Sequence, residues 1–65
     1  MNPWKRASLR KQRKAWQYQV DMDTAKLVEL GSILSNTGRE LYLVAIEYAQ
    51  AQVVDINTQL GEVTQ

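Results

Sequence analysis

The chain has 65 residues with no cysteine and no histidine, which excludes a disulfide framework and thiolate or imidazole metal sites. One domain is all this length allows, and because a compact monomer of this size buries only about 60% of its unfolded surface, association is the remaining common source of stability. The net charge of +1 conceals a separation: residues 1–14 hold Lys5, Arg6, Arg10, Lys11, Arg13 and Lys14 with no acid, whereas residues 15–65 hold Lys26 and Arg39 against seven carboxylates.

Residues 1–14 read as a flexible basic arm, polar around Pro3, Trp4 and Leu9, that orders when it meets a polyanion. Neutralised phosphates release counterions, so an arm of this charge beside an acidic body points to nucleic acid. The competing interpretation is a solvated tail. No apolar run nears the ~20 residues of a membrane span, and none follows the basic start as a secretion signal requires. The expected location is cytoplasmic, in a bacterial, plasmid or phage setting.

Residues 16–22 alternate, with Trp16, Tyr18, Val20 and Met22 on one face and Gln17, Gln19 and Asp21 on the other. Period two with aromatic and β-branched members predicts a half-buried strand. A helical alternative joins Leu9, Trp16, Val20 and Leu27 into a stripe, but leaves Tyr18 and Met22 on the wrong face. Asp21 or Asp23 suits the start of a first helix, from about residue 24 to residue 35, with Leu27, Leu30 and Leu34 on its apolar face and Val28 and Ile33 flanking. Gly31 falls inside that helix. Residues 35–38 form a turn, and Thr37 with Glu40 reads as a capping box that opens a second helix near Gly38. Leu41, Val44, Ala45 and Tyr48 keep its three-four rhythm, and it ends between Val54 and Asn57, leaving residues 58–65 as a tail.

A lone strand cannot satisfy its own N–H and C=O groups, and a second copy solves this by antiparallel pairing across a two-fold axis. The fold class expected is mostly α with one short strand: an intertwined homodimer around an intermolecular two-stranded ribbon. Its dimer core would hold Trp16, Tyr18, Val20, Met22, Leu27, Leu30, Leu34, Leu41, Val44, Ala45 and Tyr48. Such a ribbon fits the major groove of double-stranded DNA, where Gln17, Gln19 and Asp21, repeated by symmetry, are candidate base readers.

The order of these elements, from Trp16-Gln17-Tyr18-Gln19-Val20-Asp21-Met22 through Leu27, Leu30 and Leu34 to Thr37-Gly38-Arg39-Glu40-Leu41 and Ala45-Ile46-Glu47-Tyr48, resembles the ribbon-helix-helix family of the Arc and MetJ type. That resemblance implies an arm at 1–14, a ribbon-helix-helix domain at 15–54 and a tail at 55–65. It also implies phosphate contacts from Thr37, Gly38 and Arg39 at a helix N-terminus, with Arg10, Lys11, Arg13 and Lys14 adding backbone contacts. The roles it implies are transcriptional repressor first, then plasmid partition protein acting with a motor ATPase, then antitoxin with a toxin partner. A different class of reading is one long helix over residues 8–35 in a helical hairpin, two of which make a four-helix bundle with a structural or adaptor role. Enzyme activity and a bound cofactor are not expected: there is no histidine, cysteine, glycine-rich phosphate loop or evident carboxylate pocket.

Overall fold

The computed structural model describes residues 1–61, which form two helices, α1 (Pro3–Leu30) and α2 (Asn36–Leu60), packed antiparallel as a hairpin 47 Å long and 17 × 14 Å across. No strand occurs among the described residues, and this corrects the ribbon-helix-helix expectation: residues 16–22 are mid-helix, and there is no ribbon for a second copy to complete. The basic segment is likewise the first half of α1 and not a flexible arm. The end of the expected C-terminal tail, residues 62–65, lies outside the described residues.

Local chemistry explains the long first helix. Asn2 is its N-cap, with a side-chain oxygen accepting the Lys5 N–H at 2.7 Å, and Pro3 takes the first turn, where a missing N–H costs nothing. From residue 4 to residue 30 there is no glycine and no further proline, and only Val20, Thr24 and Val28 are β-branched. Long unbranched side chains and alanines fill the rest, which lose little freedom in a helix. Asp21 and Asp23, expected to cap a helix, instead accept from the Gln17 and Gln19 amides one turn back, at 3.1 and 3.0 Å. These pairs stabilise a helix and have no counterpart in a strand.

The turn differs in register as well. Gly31 ends α1 and is not interior to a helix, and a Cβ there would meet the Leu27 carbonyl oxygen at 2.8 Å. Ser35, not Thr37, is the N-cap of α2, its hydroxyl accepting the Gly38 N–H at 3.1 Å. The expected pairing of Thr37 with Glu40 is replaced because the helix starts two residues earlier. Gly61 closes α2 in a left-handed conformation (φ 73°), its N–H bonded to the carbonyls of Asn57 and Thr58.

The core is the helical stripe. Leu9 packs with Ile56 and Leu60, Val20 packs with Ile46 and Ala49, and the half-buried Trp16 touches both groups. Leu27 joins the second group. The Trp16 ring meets Tyr48 edge-on, centroids 5.6 Å apart at 69°. Tyr18 and Met22, assigned to the dimer core by the strand reading, are exposed together with Leu41, Val44, Ala45 and Tyr48. A 100° step per residue sends 16, 20 and 27 to one side of a helix and turns 18 and 22 away, which is the physical reason the two readings divide the same residues differently. Leu30 and Leu34 are half-buried near the turn.

Each helix also ends on an arginine from the start of the other. Arg6 donates to the Leu60 carbonyl at 3.3 Å, and Arg39 donates twice to the Gly31 carbonyl, at 3.0 and 2.6 Å. Terminal carbonyls lack helical partners and sit at the negative end of the dipole, so a guanidinium suits both.

Candidate nucleic-acid interface

Helical spacing puts Arg10, Lys11 and Lys14 on the side of α1 turned away from α2, while Arg6 and Arg13 lie next to α2. Arg10, Arg13 and Lys14 lie on one flank, beside Gln17 and Asp21, and with Tyr18, Val53 and Asn57 they line an open trough of about 720 Å³ between the helices. Lys11 lies on the outer face, one turn from Lys14 and two turns from Trp4 and Tyr18 in heptad spacing, and both aromatics are exposed. The side chains of Lys5, Arg10, Lys11 and Lys14 make no ion pair or hydrogen bond among the described residues, so their charges are available to a ligand. Arg6 and Arg13 have structural work instead: Arg6 caps α2, and the Arg13 guanidinium donates to the side-chain oxygen of Asn57 at 2.7 Å.

Asn57 is the buried polar residue of the core, only 8% exposed. Sequence reasoning passed over it because the second helix was expected to have ended by then. The available signal was the spacing of Val53, Ile56, Asn57 and Leu60, which continues one face for a further turn.

The other expected contacts do not converge. Gln17 and Asp21 share the basic flank, but Gln19 is on the opposite flank, bonded to Asp23 near Leu41 and Tyr42. The three therefore present no common face, whereas alternate residues of a strand would have. Thr37, Gly38 and Arg39 sit at the start of α2, at the turn end of the hairpin, about 25 Å along the helix axis from Arg13 by the 1.5 Å rise. Arg39 is committed to Gly31.

No family model, curated protein or solved structure matches the chain. No helix among the described residues is long and apolar enough to cross a membrane, and no cluster of three or more acidic side chains there is arranged to hold a metal ion. The most distinctive chemistry is the cationic half of α1, with the Leu9 and Trp16 packing beneath it.

Proposed function

We propose that this chain binds nucleic acid through the phosphate backbone, using the first half of α1 as a rigid cationic surface. The observation that carries the reading is the set of four uncommitted cations, Lys5, Arg10, Lys11 and Lys14, on a helical segment of residues 3–14 that contains no acid. Double-stranded DNA offers about one negative charge per 1.7 Å of axis, and neutralising its phosphates releases bound counterions. Trp4 and Tyr18, exposed on the same helix, add faces on which unpaired bases can stack.

Base reading by Gln17, Gln19 and Asp21 forms no part of this reading, because they no longer share a face. The repressor, partition and antitoxin roles, with their toxin or motor ATPase partners, were implied by the ribbon family, and a strandless hairpin gives no reason to keep them. Contact with phosphate predicts affinity with little sequence preference.

The test is a mobility-shift titration of duplex DNA at two salt concentrations, with random duplex as competitor. Four phosphate contacts predict a slope of log Kobs on log salt of about −3.6. The triple variant Arg10→Gln, Lys11→Gln, Lys14→Gln flattens that slope to about −1 with helix content unchanged. Absence of binding at low salt refutes the proposal.

A second reading, a structural or adaptor hairpin, is favoured by one observation: α2 exposes Leu41, Val44 and Tyr48 along a single side. In that case the basic half of α1 is a solvated face, and the salt titration shows no binding.

A further inference from the structure

α2 carries a second apolar stripe that its own hairpin leaves uncovered. At 100° per residue, Leu41, Val44, Ala45 and Tyr48 cluster about a quarter-turn away from the side that packs on α1. Leu41, Val44 and Tyr48 remain 67%, 62% and 58% exposed. Single exposed apolar residues are ordinary, but a run of them at three-four spacing is the pattern of a helix-packing seam. The small Ala45 and Ala51 on this side permit close approach of another helix.

We propose that a second copy of this chain covers the stripe, α2 against α2 and antiparallel, closing a four-helix bundle from two hairpins. Two observations select that occupant. The first is area. The accessible surface is 5055 Å² for a 7.5 kDa chain. A compact monomer of that mass exposes about 4,200 Å², so the excess, roughly 800 Å², matches what one partner buries in a stable interface of standard size. The hairpin's own core is correspondingly thin: among the described residues no large side chain is fully buried.

The second observation is charge. The open half of the hairpin carries the six cations of residues 1–14 against Asp55, while the turn half carries Asp21, Asp23, Glu29 and Glu40 against Lys26 and Arg39. Antiparallel packing, with the two-fold axis near residues 46–47, lays the cationic end of one hairpin beside the acidic half of the other. Parallel packing would set two cationic ends side by side. The antiparallel pair is self-complementary, as a two-fold interface must be.

The experiment is sedimentation equilibrium of the full chain without nucleic acid, so that its outcome is separate from the phosphate-binding reading. Twice the 7.5 kDa chain mass is expected for the native sequence. The double variant Leu41→Glu, Val44→Glu should weaken the dimer at least about 30-fold, the scale of removing interface anchors. Both positions are exposed in the single hairpin, so circular dichroism should show unchanged helix content, which separates lost pairing from lost folding. Orientation is read from spin labels on Asn36→Cys, the chain's only thiol: about 30 Å between labels for antiparallel α2 helices, against about 10 Å for parallel ones. A monomer at all concentrations, a dimer indifferent to the double variant, or a short label distance would each overturn the proposal.

Discussion

Trp16 is the residue on which the hairpin's continuity depends, and replacing it by alanine tests the fold at its centre. It lies between the Leu9, Ile56 and Leu60 group and the Val20, Ile46 and Ala49 group, touching both, with Tyr48 edge-on against its ring. Removing a fully buried tryptophan costs about 3–5 kcal/mol, and because Trp16 is half-buried the expected loss is about 2–3 kcal/mol. Total stability at this chain length is about 3–10 kcal/mol, so the variant gives up a large share of it. The assay is urea unfolding followed by far-ultraviolet circular dichroism at matched protein concentration. Trp4→Ala serves as control: at 86% exposure it should cost less than about 0.5 kcal/mol. A double-mutant cycle with Tyr48→Ala should return about 0.5–1.5 kcal/mol of coupling from the ring contact. If Trp16→Ala costs no more than Trp4→Ala, the two apolar groups are not one core, and the packing described above is wrong.

Other outcomes follow from the helix ends. Ser35→Ala should lower stability by about 1 kcal/mol through loss of the α2 cap, while Thr37→Ala should change it by only a few tenths; equal effects in urea unfolding would put the cap at the wrong residue. Gly61→Ala forces a side chain into a left-handed backbone and should cost about 1 kcal/mol, seen as faster amide exchange in the last turn of α2; unchanged exchange would refute the closing motif. Arg39→Leu removes both donors from the Gly31 carbonyl, an exposed contact expected to contribute about 0.5–1 kcal/mol, and a neutral result in the same unfolding assay would show that this bond does not hold the turn.

Several features of this protein were legible in its residues. The charge separation, the apolar stripe of Leu9, Trp16, Val20 and Leu27, the glycine and serine turn and the three-four rhythm of the second helix all stand in the sequence, and each depends only on local spacing. The candidate interface was legible in part: the six cations of residues 1–14 were read from charge, but not that Arg6 and Arg13 would be bonded to α2 while the side chains of Lys5, Arg10, Lys11 and Lys14 were left facing solvent. What misled was the stretch from Trp16 to Met22, which satisfies period two and period 3.6 at once. Seven residues are too few to separate those periods when large side chains occupy four of them. The decision comes from what can be buried. A strand there needs a partner strand from outside the described residues, whereas a helix continuous from Asn2 satisfies its backbone internally and lays Trp16 and Val20 against Ala49 and Ile46.

The same tertiary choice reassigned the polar residues. As a strand, Gln17, Gln19 and Asp21 would have formed one reading face. As a helix, they are divided between two flanks and bonded within their own turns. Arg6 and Arg13 acquired their partners, Leu60 and Asn57, only from contacts between distant parts of the chain, and Arg39 acquired Gly31 across the turn between the helices. Composition and spacing determined that this chain would be helical over most of residues 24–54 and cationic at one end. Packing of one helix against the other decided which residues became core, which became caps and which were left facing solvent, because a side chain's burial depends on what lies opposite it.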